Sequence, residues 1–598
     1  MKKKQRQKKK KRRRGKIMSN FLLDNEDIQF HLKTLPLEEL AAIQEDGFRD
    51  AATFDYAPAN AAEAAENYRR VLELVGDIAG NQIAPLSEEI DREGSTWCDG
   101  VVTYAPGIRR SLDLLAKADM MGFTLPRKFG GLNCPSTVYA AATEMVSRAD
   151  AALMNVFGLQ GIAETINAFA NEDQKQRFLP RFSTGAVTGA MVLTEPDAGS
   201  DLQNVQLRAF QDAAGQWRLR GVKRFITNGC GEVLLVLARS ETDEQGGMGL
   251  SLFVLENNEQ VRIRRIEDKL GIHGSPTCEM QFNDVPCELV GERRRGLVTY
   301  VMALMNGARI GIAAQGLGIA EAAYREGRAY AYHRQQFGKR IEQLAPVADL
   351  LVDMKTCIEA GRSLLYYTCT VVDRDINLQR RLDEDKYATP EAKSADNKAQ
   401  KQYKRLAALL TPMSKYYCSE LSQKCANDAI SVMGGSGYMR DYHAEQLFRD
   451  ARITTIYEGT SQLQVVAAIR GVTSGTAEKM FAEFDNRETA DQEEQHLREA
   501  LGTMRGKLQE AVEFVKKGGA DYLELSARAM VDVAIDILVG YLFLEQATQS
   551  EHKKVVAKRF IRQALPRAKA RMELVMSQER STLDSYAEIV GAMVEEEG

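Results

Sequence analysis

The spacing of apolar residues changes twice along this chain, and this pattern limits the fold more than any other feature. In residues 18–187 apolar side chains recur every three or four positions, as in LEELAAIQ, which is typical of amphipathic helices. Residues 188–293 instead hold short apolar runs separated by Gly, Asn and Asp, which is typical of strands and turns. Helical spacing returns in residues 294–472. The order α, β, α predicts a multidomain α+β protein and argues against a sheet of alternating strands and helices.

The middle region contains five segments that predict strands: GAMVLTE, QWRLRGVKRFITNG, EVLLVLARS, LSLFVLE and VRIRRI. Glycine motifs give no support for a nucleotide-binding sheet. GLGIAE, at Gly316–Glu321, has only the first half of a dinucleotide fingerprint and lies in a helical pattern. The phosphate-loop motif, GxxxxGKS or GxxxxGKT, does not occur. Nicotinamide and phosphoryl-transfer chemistry are therefore disfavoured.

Two segments extend this plan. Residues 376–400 are charged and polar, interrupt the helical spacing, and predict an exposed insertion. Residues 473–598 show helical spacing with almost no strand pattern, and predict an additional C-terminal helical bundle. Their most apolar window, Met530–Leu544, contains Asp532 and Asp536, which favours a packed amphipathic helix over a membrane span.

Charge is distributed unevenly. Residues 2–16 hold twelve of the 79 Lys and Arg, so the rest of the chain carries 67 of them against 83 Asp and Glu. Such a basic run can contact nucleic acid or anionic lipid, but it is more often a solvated, disordered end. We expect a disordered tail at residues 1–17, a functional protein that begins at Met18, and no nucleic-acid partner.

Cysteine and histidine usage bounds the compartment and the metal content. The nine cysteines include no CxxC pair, and the six histidines show no ligand spacing. This favours reduced thiols in the cytoplasm and no metal site.

The segment RDARITTIYEGTSQLQ, residues 449–464, contains one candidate base, Glu458. Arg452–Ile456 alternates in a β-like manner, Gly459 breaks that run, and Thr460 predicts the N-cap of a helix over Ser461–Arg470. From these residues alone, a Glu beside a turn with no chemical role is the favoured interpretation.

Five segments in a fixed order resemble the acyl-CoA dehydrogenase family: LTEPDAGSDL, RFITNG, YHRQQFGKRI, VMGGSGYMRDY and YEGTSQLQ. The resemblance implies a helical N-terminal domain, a central β-barrel or sandwich, and a second helical domain. The extra C-terminal helices resemble the large bacterial branch of the family, which includes 3-methylmercaptopropionyl-CoA dehydrogenase and broad-chain fatty acyl-CoA dehydrogenases.

The resemblance also implies a chemistry, the α,β-desaturation of an acyl-CoA with FAD as cofactor. Glu458 would take the α-proton while flavin N5 takes the β-hydride, and electrons would pass to an electron-transfer flavoprotein. Some relatives place the base directly before an arginine that matches Arg309, but here that position is Ala308. Glu458 is therefore the one base that the resemblance offers.

Individual binding residues follow by matching positions in the motifs. Phe225 stands where relatives usually have Trp, and Ser431 where many have Gln. Arg334 and Phe337 match a pair that reaches the flavin of a neighbouring subunit, which implies at least a homodimer. The cofactor positions are Thr194, Ser200, Phe225, Thr227, Arg334, Phe337, Gly434, Gly435, Thr460 and Gln462. The substrate positions are Ser200, Asn306, Arg309, Tyr457 and Gly459.

Two other functions stay open from the sequence. An acyl-CoA oxidase would share the base and the flavin but pass electrons to oxygen. A non-catalytic assembly protein would keep the fold without the reaction. The acyl chain is not predicted, because the depth of a pocket depends on packing that no motif encodes.

Overall fold

The computed structural model describes residues 19–485 and 491–593, so the basic tail predicted for residues 1–17 lies outside the described residues. The described residues form two compact units. One contains residues 19–354 and 418–458, and the other contains residues 355–417, 459–485 and 491–593. Each unit is described by itself below.

Helices dominate both units. In chain order they are α1 (Glu26–Thr34), α2 (Leu37–Gln44), α3 (Ala61–Ile78), α4 (Ser87–Glu93), α5 (Pro106–Lys117), α6 (Ser136–Ala149), α7 (Ala151–Gly158), α8 (Ile162–Phe169), α9 (Glu172–Ser183), α10 (Met302–His333), α11 (Ala345–Glu384), α12 (Pro390–Met433), α13 (Ala444–Ala451), α14 (Ser461–Thr473), α15 (Thr476–Asp485), α16 (Gln492–Val515), α17 (Ala520–Ala547), α18 (Glu551–Met576), α19 (Ser581–Asp584) and α20 (Tyr586–Val590).

The strands lie in the first unit. They are β1 (Thr96–Cys98), β2 (Val101–Thr103), β3 (Gly189–Val192), β4 (Arg208–Gln211), β5 (Trp217–Thr227), β6 (Val233–Arg239), β7 (Leu250–Glu256), β8 (Val261–Ile266), β9 (Thr277–Pro286), β10 (Glu288–Val290), β11 (Gln335–Gln336) and β12 (Lys339–Arg340). All five predicted strands are confirmed. The sequence pattern misses β9, because its apolar residues are interleaved with Glu, Gln, Asn and Asp.

Eight strands form one sheet, in the order β10-β7-β6-β4-β5-β9-β8, with β3 paired to β6 in parallel. β6 is buried on both faces. Its residues Val233, Leu235 and Leu237 join one apolar cluster, which also contains residues of α8 and α9. The alternate residues of β6 join a second cluster on the other face. This double burial explains the nearly continuous apolar run EVLLVLARS. The α, β, α order predicted from the sequence is thus confirmed.

Two glycines of the GLGIAE segment have a packing role in α10. A Cβ on Gly318 would lie 2.4 Å from the carbonyl oxygen of Glu144, and a Cβ on Gly316 would lie 2.5 Å from that of Cys418. Only glycine allows the neighbouring backbones to approach this closely. The partial dinucleotide fingerprint therefore reflects helix packing.

Residues 376–400 differ from the prediction. They are largely exposed, as expected, but most of them are helical: α11 runs to Glu384, α12 begins at Pro390, and only residues 385–389 lie outside these helices. Exposed helices can be polar on most of their surface, so polarity alone was a poor sign of irregular structure.

The second unit has one apolar core, which contains residues from both of its sequence segments. Leu364, Leu409 and Met413 share it with Leu501 of α16 and Leu538 of α17. Residues 530–544 of α17 are buried on nearly all sides. The prediction of an amphipathic helix for that window is wrong, because α17 is the central helix of the bundle.

Among the described residues, one helical run is long and apolar enough to cross a membrane by length and composition, Gly296–His333, and half of its most apolar window is buried. The core helix of a globular protein satisfies the same criteria.

Candidate active site

Glu458 follows a helical segment and has a left-handed backbone, with φ 56° and a half-buried side chain. α13 leads into a 3-10 helix at Arg452–Thr455, so the β-like run predicted for Arg452–Ile456 is wrong. The physical reason lies at Thr454. Its buried hydroxyl donates to the carbonyl oxygen of Ala451 at 2.8 Å, which satisfies a helical rather than an extended backbone.

The hydroxyl of Tyr457, a predicted substrate residue, is hydrogen-bonded within the protein. The hydroxyl contacts Oε1 of Gln315 and lies 3.0 Å from Oδ1 of Asn155. Burial, with the negative charge of Glu458, raises the pKa of Tyr457 far above its usual range. This side chain therefore stays neutral, and its hydroxyl is occupied before any ligand binds.

Arg309 lies close enough to Glu458 for the two charges to interact. Burial lowers the pKa of Arg309, and the charge of Glu458 opposes that shift. Its Nη1 donates to Oδ1 of Asn306 at 3.1 Å. Within the described residues its buried Nε has no hydrogen-bond partner. Arg309 of α10 therefore lies near Glu458 and donates to Asn306, while position 308 is Ala and carries no carboxylate.

The loop after β3 carries two predicted flavin residues, half-buried Thr194 and exposed Ser200. A buried ion pair fixes the loop: Nζ of Lys223 lies 2.9 Å from Glu195 and donates to the carbonyl oxygen of Leu193 at 2.6 Å. Burial lowers the pKa of Lys223 to about 8, and Glu195 opposes that shift. This pair attaches the loop to β5.

β5 contains a bulge between Lys223 and Ile226, where its pairing with β9 shifts register. Within it, Phe225 has φ 60° and its side chain is 52% exposed, while Ile226 is buried. A bulge of this kind turns a side chain away from the regular alternation of a strand. Phe225 is thus presented to solvent, two residues before half-buried Thr227.

Arg334, Gly434 and Gly435 line one open cavity of about 660 Å³. A Cβ on either glycine would meet no protein atom within 4 Å, so both backbones face open space. The cavity lies at the C-terminal end of α12, where the helix dipole disfavours an anion. Among the described lining residues Arg334 is the one basic side chain and Asp441 the one acidic side chain, so Arg334 would have to supply the attraction for a phosphate.

Ser431 lines the same cavity, and its hydroxyl donates to the carbonyl oxygen of Asn427 at 3.1 Å. Phe337 stands at the tip of the β11–β12 hairpin with φ 52° and an 88% exposed side chain. Such an exposed aromatic ring is well placed to contact another molecule.

Gly459, Thr460 and Gln462 belong to the second unit. The carbonyl oxygen of Gly459 accepts hydrogen bonds from Lys415 Nζ at 2.7 Å and Gln464 Nε2 at 3.0 Å. Thr460 caps α14 by accepting from the backbone N–H of Leu463, as predicted, and Gln462 is exposed. The helix extends to Thr473, beyond the predicted end.

Sequence reasoning missed a polar network around Arg449 and Asp450, in the segment that leads to the candidate base. Arg449 pairs with Asp91 at 2.6 Å, and Nδ1 of His273 lies 2.9 Å from the same carboxylate. The backbone N–H of Ile272 donates to Asp450. Burial raises the pKa of Asp450 to about 7. No local motif signals this network, because its members lie far apart in the sequence. It anchors α13 to α4 and to the loop before β9.

The predicted residues of the first unit thus fall into three groups. The first is Glu458 with Arg309. The second is Thr194, in the loop after β3, with Phe225 and Thr227 of β5, and the third lines the cavity beside Arg334. An open glycine-lined cavity with one guanidinium fits a diphosphate, and an exposed aromatic side chain beside hydroxyls fits a flat ring. These observations fit a dinucleotide-like cofactor such as FAD.

Models of acyl-CoA dehydrogenase domains match most of the chain. The N-terminal domain matches residues 65–186, the middle domain matches residues 190–285, and the C-terminal domain matches residues 295–393 and 387–473. A further model, described as acyl-CoA dehydrogenase C terminal, matches residues 473–582.

Individual proteins give the same result. The chain is 32% identical to an acyl-CoA dehydrogenase of Bacillus subtilis over 67% of this chain and 97% of that protein. It is also 32% identical to 3-methylmercaptopropionyl-CoA dehydrogenase of Ruegeria pomeroyi, over 67% of this chain and 69% of that protein. A solved acyl-CoA dehydrogenase from Bacillus anthracis, complexed with FAD, shares the fold with a TM-score of 0.71 at 23% identity, covering 88% of this chain and 92% of that one.

Proposed function

Because this chain belongs to the acyl-CoA dehydrogenase family, we propose that it desaturates an acyl-CoA thioester between Cα and Cβ to give the trans-2-enoyl-CoA. It is an oxidoreductase of that family, and its cofactor is FAD. The residues proposed to hold FAD are those matched by the motifs: Thr194, Ser200, Phe225, Thr227, Arg334, Phe337, Gly434, Gly435, Thr460 and Gln462.

Glu458 is the proposed base. The α-proton of a thioester is weakly acidic, so its removal requires a carboxylate held at a fixed position. The guanidinium of Arg309 attracts that carboxylate, and the backbone N–H of Glu458 would donate to the thioester carbonyl oxygen. Such a donor stabilises the negative charge that develops on that oxygen, typically by about 3–4 kcal/mol. Bound FAD supplies the acceptor for the β-hydride.

One observation supports this assignment most directly: Glu458 interacts electrostatically with Arg309, and the alternative base position beside Arg309 is Ala308. On α10, the chain therefore presents a cation to Glu458 and no competing carboxylate. The approach of a thioester to this pair would place its α-carbon beside the one candidate base.

Anaerobic mixing of the purified yellow protein with a panel of acyl-CoAs tests the proposal. The panel would include straight, branched, cyclic, aromatic and thioether chains. We expect at least one member to bleach the flavin absorbance and to appear as its enoyl-CoA product. A flavin that no acyl-CoA reduces would contradict the proposed reaction.

We further propose that electrons pass to an electron-transfer flavoprotein and that the enzyme is a cytoplasmic homodimer. The nine cysteines are all free, which agrees with a reducing compartment. Exposed Phe337 beside the cavity supports a contact with a second subunit. Stoichiometric peroxide formation under air would instead identify an oxidase.

A further inference from the structure

The residue before Glu458 is held by a buried side-chain network in the first unit. The Tyr457 hydroxyl contacts Oε1 of Gln315 and lies 3.0 Å from Oδ1 of Asn155. Gln315 is fully buried in the middle of α10, and Asn155 of α7 is 5% exposed. A fully buried glutamine in a helix is retained only when its amide is satisfied, so the partners of Gln315 define its role.

The partners of the Gln315 amide indicate the direction of its hydrogen bonds. Nε2 of Gln315 donates to the carbonyl oxygen of Ala151 at 2.9 Å and to Oδ1 of Asn155 at 2.9 Å. These two acceptors fix the amide so that its Oε1 faces Tyr457. The tyrosine hydroxyl has one proton, and Gln315 Oε1 is its nearer acceptor. Asn155 therefore orients Gln315, and Gln315 holds Tyr457.

The backbone after Tyr457 requires such support. Glu458 has φ 56°, a conformation that is unfavourable for a residue with a side chain. It persists only where its neighbours are fixed. The backbone N–H of Tyr457 donates to the carbonyl oxygen of Ile453 at 3.2 Å, and its hydroxyl is fixed by Gln315.

α10 meets this segment at two points. Gln315 contacts Tyr457, and Arg309, six residues earlier in the same helix, interacts with Glu458. Six residues of an α-helix span about 9 Å. The helix that carries the proposed substrate contacts thus also contacts the residue directly before the proposed base.

We propose that Gln315, oriented by Asn155, is a positioning residue: it holds Tyr457 so that Glu458 keeps the left-handed backbone that directs its carboxylate to the substrate. This inference rests on the proposed role of Glu458 as the base. If the network were ordinary core packing, its loss would lower stability without a specific effect on proton removal.

Two variants of the FAD-loaded, full-length protein test this. Tyr457→Phe removes only the hydroxyl, and Gln315→Leu removes the acceptor. We expect each to slow anaerobic flavin bleaching by about 10- to 100-fold, because small displacements of a catalytic group have effects of this size. The flavin spectrum of both variants and the acyl-CoA dissociation constant of Gln315→Leu should not change. The double variant should be no slower than the slower single variant, because both substitutions break one contact.

Tyr522→Phe is the matched control. Its hydroxyl is also internal, donating to the carbonyl oxygen of Val575 at 2.5 Å, but it lies in the C-terminal bundle. We expect this variant to bleach at the wild-type rate. A similar loss of rate in all three single variants would identify a general loss of packing and overturn the proposal.

Hydrogen exchange gives a readout that does not depend on turnover. In the substrate-free, FAD-loaded protein, peptides covering residues 453–458 should exchange faster in Tyr457→Phe and Gln315→Leu than in the wild type. The proposal would be overturned by unchanged exchange or by an unchanged bleaching rate. It would also be overturned if the loss of rate in the double variant equalled the product of the losses in the single variants. If no acyl-CoA of the panel bleaches the flavin of the wild type, the proposed function is contradicted. Unchanged hydrogen exchange in the variants separately contradicts the proposed role of Gln315.

Discussion

Glu458, Phe225 and Phe337 share a left-handed backbone, with φ 56°, 60° and 52°, and none of their side chains is buried. Each such conformation costs about 1–3 kcal/mol and persists where the surrounding structure holds it. All three belong to the residues that the motifs predict for the base or the flavin. Three of the fourteen non-glycine residues with positive φ in the described part of the chain are thus predicted base or flavin residues.

Phe225 allows a prediction at the residue scale. Because its ring is 52% exposed, Phe225→Ala removes little packing from the protein without ligand. We expect the thermal midpoint of the apoprotein to stay nearly unchanged and the FAD dissociation constant to rise about 3- to 10-fold, as a lost aromatic contact would give. Fluorescence titration of the apoprotein with FAD measures this. A lower midpoint with unchanged affinity would assign Phe225 to packing instead.

At the scale of elements, the first turn of α14 serves two proposed roles. Thr460 is its N-cap, and it is also a predicted flavin contact. Thr460→Ala should destabilise the protein by about 1 kcal/mol because the cap is lost. Thr460→Asn keeps a capping oxygen, so it should recover the stability but not the FAD affinity. Full recovery of both in Thr460→Asn would show that Thr460 is a cap only.

The loop before β9 depends on a histidine that titrates. The hydrogen bond to Asp91 raises the pKa of His273 to about 9, against the opposing effect of burial. A raised folded-state pKa gives stability that is complete below about pH 6.5 and is lost as the pH rises through 9. Replacing His273 by Gln should therefore lower the urea unfolding free energy by about 2 kcal/mol at pH 6 and by little near pH 10. A difference that stays constant with pH would contradict this account.

The elements also show what the sequence predicts well. Segments with a uniform apolar pattern were predicted correctly, such as the strand EVLLVLARS and the helix after Thr460. The 3-10 turn at Arg452–Thr455 was not, because a few alternating residues fit a short strand as well as a helical turn. Glu458 was predicted as the base from its motif, but its left-handed backbone and the contact of Tyr457 with Gln315 depend on the tertiary structure. Periodicity does not encode such contacts.

At the scale of the whole molecule, the C-terminal helices share one core with residues 355–417. Residues of α17 therefore stabilise helices that the sequence assigns to the preceding domain. The proposed dimer adds a second level of sharing, because Arg334 of one subunit would bind the FAD of the other.

That sharing predicts complementation between Glu458→Gln and Arg334→Ala, the latter assayed at an FAD concentration too low to load it. Arg334→Ala should weaken FAD binding about 10- to 100-fold, since it removes a charged hydrogen-bonding group. In a heterodimer of one Arg334→Ala subunit and one Glu458→Gln subunit, one of the two sites would combine an intact Arg334 with an intact Glu458. A random mixture of co-expressed variants should therefore recover about one quarter of the wild-type rate. Two tagged copies of Glu458→Gln serve as the control, and no recovery in the mixture would contradict a shared site.

The central claim is that Glu458 removes the α-proton. The most direct test is stopped-flow, anaerobic bleaching of the FAD-loaded Glu458→Gln variant by the acyl-CoA that reduces the wild type fastest. We expect a folded, yellow protein that still binds this acyl-CoA and bleaches at least about three orders of magnitude more slowly, because the one proposed base is gone. Bleaching at a near-wild-type rate would contradict the account.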